Sequence, residues 1–179
     1  GEGLTVDMRA TLSSAREAMS DLAENTEALK RSFFFRGFFK DRGFYDLDRL
    51  SLAEYESKEF NKEIQKERAW LQQADLFTVK PDASEELSDQ GKKKVDGAMV
   101  AFLRFTGDSA VIVEGYAGSG SSEEQFLLSR ERAVKVREYL LKRFSLSAEY
   151  VGVMPMGAVR FSSPAGAVHD GVALVLLKK

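Results

Sequence analysis

The chain has 179 residues, 44% of them hydrophobic and 30% charged, which fits one moderate globular domain or a small domain with an extension. Twenty-six basic residues against 28 acidic ones leave a net charge of -2, so no global electrostatic case exists for nucleic acid or an anionic membrane. The absence of cysteine excludes disulfides, thiolate metal sites and a cysteine nucleophile.

No apolar run is long enough to span a bilayer. Gly1-Glu2-Gly3 has neither a charged n-region nor an apolar h-region. The expectation is an internal cut or a processed start, with any signal, anchor or further domain lying upstream. The first predicted element is a helix whose apolar seam runs through Met8, Leu12, Ala15, Met19, Leu22, Thr26 and Leu29. Alternating steps of four and three suit a helix that meets a partner helix or its own domain.

Residues 31–50 follow as RSFFFRGFFKDRGFYDLDRL. Basic and aromatic residues interleave there, a mixture compatible with stacking on single strands or with a membrane interface. A local core with snorkelling basic heads is the simpler reading, and contact of residues 33–45 with a membrane interface comes second. No nucleic-acid partner is expected.

Ser51-Leu52-Ala53-Glu54 has the spacing of a capping box. Residues 56–74 read as a charged helix with a thin stripe of Phe60, Ile64 and Leu71, and Trp70 beside it. Leu76–Val79 reads as a strand and residues 81–86 as a loop. A helix is predicted over 87–105, capped by Ser88, with Val95, Met99 and Phe102 on one face. Residues 109–117 read as a buried strand. The helix predicted over 121–144 starts with a second capping box, Ser121 to Glu124, and has Phe126, Ala133, Val136, Leu140 and Phe144 on one face. Strands at 150–156 and 171–177 flank a loop. The predicted fold class is α+β, a βαβαββ sandwich with helices covering one side of a small mixed sheet and a helical N-terminal extension.

The turn from Gly115 into this last helix reads GYAGSGSSEEQFLLSRERA. Gln125, Ser129 and Arg132 are spaced four and three apart and line one helix stripe. Two readings stay open. Glycines before the cap and free amides at the helix start suit a carboxylate or phosphate. Alternatively, Arg132 pairs with a nearby acid such as Glu114.

Residues 76–177 resemble the C-terminal domain of the OmpA family, a peptidoglycan-binding module of Gram-negative envelopes. The residues that carry the resemblance are Gly115-Tyr116-Ala117-Gly118, Gly120, Gln125, Leu128-Ser129, Arg132-Ala133 and Val136. One residue of the family pattern is missing between Gly115 and Gly120. The resemblance implies an OmpA-like domain at 76–179 and a stem-peptide pocket in which the motif arginine meets a carboxylate and the motif aspartate an ammonium. Arg132 stands at the arginine position, with Ser129, Gln125 and Gly118 as the other candidate binding residues. The aspartate position falls on Ala117 or Gly118, neither of which carries charge. His169, Asp170 and Gly171 stand where the family has a further arginine pair.

Residues 1–75 resemble the region that follows the lipid-binding MCE domain in MlaD-like proteins. Asn25-Thr26-Glu27-Ala28-Leu29-Lys30, the Phe33–Gly43 run and Phe44-Tyr45-Asp46-Leu47 carry that likeness. It implies a lipid-transport assembly in the periplasm, tethered to peptidoglycan, with the N-terminal helix meeting neighbouring subunits of an MCE oligomer. An OmpA-like fold with a degenerate pocket, docking on envelope proteins, is the alternative.

No catalytic residue, cofactor or metal is expected. His169 beside Asp170 reads as a surface pair, and Ser119, Ser121 and Ser122 have no evident base. One histidine without cysteine gives no ligand cluster. No Gly-Lys-Ser/Thr follows the Gly115–Gly120 turn, so it is not a Walker loop.

Overall fold

A computed structural model describes residue 47 and residues 50–102, 109–159 and 166–178. The seam predicted at Met8–Leu29 and the aromatic run at 33–45 lie outside the described residues.

Two short helices open the described chain. Ser51 caps α1, Leu52–Tyr55, its hydroxyl accepting from the Glu54 amide at 3.1 Å. Ser57 caps α2, Lys58–Glu63, in the same way through the Phe60 amide. Ile64 is extended and ends that helix. The chain then enters strand β1, Gln65–Gln72. The single helix predicted over 56–74 is therefore corrected to a short helix and a strand. Lys, Glu, Gln and Arg are good helix formers. Here an eight-residue antiparallel pairing with the last strand, β6 (Gly171–Lys178), overrides that preference.

After β1 comes a short helix, α3 (Gln73–Leu76), and a hairpin of β2 (Phe77–Val79) with β3 (Glu85–Leu87). The strand predicted at 76–79 thus forms a small separate sheet, not part of the main one. Helix α4, Asp89–Phe102, starts at Ser88, whose hydroxyl accepts from the Gly91 amide. Strand β4 spans Ser109–Tyr116 and helix α5 spans Ser122–Phe144, capped by Ser121. A single 3-10 turn leads into β5, Val151–Pro155.

The main sheet has the order β1-β6-β4-β5, with β4 and β5 parallel and the other neighbours antiparallel. The predicted βαβαββ order holds, with β1 as its first strand.

Both faces of this sheet are covered. On one face, α4 and α5 pack Val95, Met99, Val136 and Leu140 against Val111, Val113, Leu174 and Leu176. On the other, Leu47, Tyr55, Phe60 and Ile64 pack against Ile112, Val175 and Leu177. Helices were predicted on one side only. The correction has a simple cause: β4 is buried at every position, and a strand apolar on both faces needs cover on both. The second cover comes from residues N-terminal to 65, and the sheet itself begins at Gln65.

Helix α5 crosses β4 at Gly115. A Cβ there would lie 1.7 Å from the Ser129 carbonyl oxygen, so only glycine permits this approach. Ala133, Val136, Leu140 and Phe144 point inward as predicted. Phe126 does not: it is 46% exposed, and so is its neighbour Leu127 at 52%.

Candidate functional site

Arg132 sits on the sheet-facing side of α5 and is buried. Its Nε donates to Glu85 Oε1 at 2.8 Å and its Nη2 to Glu85 Oε2 at 3.0 Å, the bidentate fork that a guanidinium makes with a carboxylate. Nη1 donates to the Tyr116 carbonyl at 2.7 Å and to Asp170 Oδ1 at 2.5 Å. Glu85 belongs to β3 of the hairpin and is held further by Gln73 Nε2 at 2.9 Å and, through its own carbonyl, by Lys135. Three segments far apart in sequence thus converge on one guanidinium.

Electrostatics within the cluster are mutual. Burial alone would raise the Glu85 carboxyl, but hydrogen bonds from Arg132 and Gln73 outweigh it and hold the group below its ordinary pKa. Burial likewise opposes the Arg132 charge, and the bonds to Glu85 and Asp170 more than offset it. The pairing predicted between Arg132 and Glu114 is corrected. Tyr116 contributes only its carbonyl to Arg132, and the Glu114 side chain points, like that of Tyr116, to the face of the sheet opposite Val113 and α5.

The other candidate residues do not converge on an open pocket. Ser129 is fully buried; its hydroxyl donates to the Phe126 carbonyl at 2.8 Å and accepts from the Gly157 amide at 3.2 Å. It ties α5 to the turn after β5. Gln125 is partly exposed, and its side chain makes no hydrogen bond among the described residues. Gly118 is exposed, and a Cβ there would lie 2.7 Å from Val168 Cγ1. An acidic side chain at 118 would have to displace Val168, while Ala117 is fully buried. The start of α5 is also occupied from within. Ser121 Oγ accepts from the Glu124 amide at 3.2 Å and donates to Glu124 Oε1 at 3.1 Å. Carboxylates of Glu123 and Glu124 in the first turn already complement the helix dipole.

His169 and Asp170 separate, contrary to the predicted surface pair. His169 is buried, its ring edge-on to Trp70 at 4.8 Å and to Tyr116 at 5.4 Å. Its Nε2 lies 3.1 Å from the Leu71 carbonyl oxygen and 3.2 Å from that of Val172. Asp170 stays at the rim with its side chain 57% exposed while it holds Arg132.

A second buried ion pair escaped the sequence reading. Glu114 is fully buried, and Arg68 grips it through Nε at 2.7 Å and Nη2 at 2.8 Å. The hydroxyls of Tyr55 and Tyr116 donate to the same carboxylate at 2.6 Å and 2.7 Å. Burial, then the Glu114 charge, raises both tyrosines above their ordinary pKa. The one signal in the sequence was a lone acid inside an apolar strand, which needs a cation.

Among the described residues no group of three or more His, Asp or Glu is placed to hold a metal ion, and no helix is long and apolar enough to cross a membrane.

No curated protein sequence matches the chain. Two crystal structures of the periplasmic domain of Helicobacter pylori MotB are similar to it at 13% identity and a TM-score of 0.44. They cover 65% of this chain, and 81% and 73% of their own chains. The OmpA family model matches residues 80–168, the span from the hairpin that supplies Glu85 to the loop before His169, with Arg132 inside it. Residues 80–168 therefore form an OmpA-family domain.

Proposed function

We propose that the chain is a non-catalytic envelope module whose OmpA-type binding position has become an internal ion pair, so that it acts as a structural or protein-docking unit. The observation that carries this reading is Arg132 itself. It is 5% exposed, and its Nε, Nη1 and Nη2 donors are engaged by Glu85, Asp170 and the Tyr116 carbonyl. A stem-peptide carboxylate would have to displace Glu85 from a buried bidentate contact, and a lost buried partner typically costs about 2–5 kcal/mol.

The OmpA-family domain supports a periplasmic setting. The likeness of residues 1–75 to the region after an MCE domain supports a lipid-transport assembly as its context. In that context the apolar seam of residues 8–29 meets neighbouring subunits, and residues 33–45 contact a membrane interface or an envelope partner.

One observation favours retained peptidoglycan binding as a second reading. Asp170 presents a half-exposed carboxylate beside Arg132, and it would serve as the acid that the motif lacks. Co-sedimentation with purified sacculi separates the two, using the 179-residue chain, Asp170→Asn, Arg132→Ala and an OmpA-type domain as positive control. The docking reading expects the chain to stay in the supernatant while the control pellets. Pelleting that Asp170→Asn abolishes would establish the tether instead.

A further inference from the structure

A cavity of about 680 Å³ lies on the other face of the molecule, between α1, α2, the start of β1 and the turn after β5. Lys66 and Arg68 both line it, two residues apart on the same side of β1. Ile64, Met156 and Val159 supply its apolar lining.

The two cations are unequally served. Arg68 spends Nε and one Nη2 hydrogen on Glu114, and its guanidinium also acts on the Tyr116 hydroxyl. Glu114 cannot serve Lys66 as well, because Arg68, Tyr55 and Tyr116 already supply two donors to each of its oxygens. Lys66 Nζ donates to the Tyr55 carbonyl at 2.6 Å and lies 3.5 Å from the centroid of the Tyr55 ring. It forms no ion pair among the described residues, although Glu56 lines the same cavity. Burial, then the charge of Arg68, lowers its pKa to about 8, against the opposing pull of Glu114 and Glu56. A lysine in this position is short of a counter-charge.

We infer that this cavity is a binding site for a small organic anion, a carboxylate or phosphate carried on an apolar arm, with Lys66 and the Arg68 guanidinium on the anion and Ile64, Met156 and Val159 beside the arm. The volume falls within the roughly 300–1,000 Å³ of ordinary small-molecule sites. The cations gather on one strand and apolar side chains line the same cavity, so a ligand of mixed character fits better than an inorganic ion. The site shares no residue with the Arg132 cluster, so it stands or falls apart from the function proposed above.

The test is an NMR titration of the 179-residue chain with hexyl phosphate, hexanoate, inorganic phosphate and acetate, at ionic strength matched with sodium chloride. The expected result is a saturable shift of the Lys66 side-chain signals and an upward move of its titration midpoint from about 8. At least one hexyl ligand should bind five-fold or more tightly than its short counterpart, and which one does so tells phosphate from carboxylate. Lys66→Met should weaken that binding at least five-fold. The wild-type titration decides even if this variant fails to fold. Shifts equal to those with sodium chloride, equal affinity for long and short anions, or unchanged binding by a folded Lys66→Met would each overturn the site.

Discussion

The two faces of the sheet each carry a buried arginine–carboxylate fork, and they differ in how far they are closed. On the α5 face, Arg132 and Glu85 join helix to hairpin, and Asp170 leaves one carboxylate at the surface. On the α1–α2 face, Arg68 of β1 and Glu114 of β4 join across the intervening β6, and two tyrosine hydroxyls complete the carboxylate from within. Both arginines are immobilised by bidentate geometry. The family resemblance marks only the first as a ligand-binding residue, yet all three of its nitrogens already donate to acceptors inside the protein. Sequence position in a binding motif does not make a side chain available.

The largest expected effect lies on the α1–α2 face. Glu114→Ala leaves the Arg68 guanidinium and two hydroxyls without their acceptor in a buried site. Breaking a buried pair from one side costs about 3–5 kcal/mol. Urea unfolding should show that loss, and a decrease below about 1 kcal/mol would mean that water replaces the carboxylate.

The pH profile separates the faces from opposite ends. Glu85 is held below the ordinary carboxyl pKa, so its contribution is present above about 4.3, the unfolded value, and disappears as pH falls through the lower folded value. Tyr55 and Tyr116 are raised above theirs. Their unfolded forms ionise near about pH 10 while the folded ones do not, so their contribution is complete below that pH and is lost above it. Stability measured across both ranges should therefore fall at both ends. Glu85→Gln should flatten the acid limb and Tyr55→Phe the alkaline limb. A limb untouched by its substitution would detach that group from the loss.

The smallest effect belongs to the rim. Asp170 is more than half exposed, and such pairs contribute about 1 kcal/mol or less. Asp170→Asn should change unfolding by no more than that, and less at high salt. A larger, salt-independent loss would place Asp170 inside the buried network.

Much of the fold could be read from local pattern. The apolar runs of β4 and β6, the Ser121 cap and the inward face from Ala133 to Phe144 gave the α+β class and its element order. β1 was hidden because its residues are those that also favour helices, and only the distant β6 settles their conformation. The second cover of the sheet was hidden for a related reason: α1 and α2 are too short to show a helical period. At the site, Arg132 was legible from its motif, but its main partner is 47 residues away in a hairpin that looked like a loop. Asp170 was visible as a residue out of place in the family pattern. The reading in which Arg132 pairs with an acid holds, but the acid is Glu85, since Glu114 lies on the other face of the sheet with Arg68.

Arg132 is an internal structural partner of Glu85. The most direct test is a double-mutant cycle in urea with Arg132→Met, Glu85→Leu and the pair together. The expected result is that each single change destabilises strongly while the double variant recovers much of the loss, giving a coupling of about 2 kcal/mol or more. Additive losses with coupling near zero would contradict it, showing that Arg132 and Glu85 do not depend on each other in solution and that the guanidinium is free for a ligand.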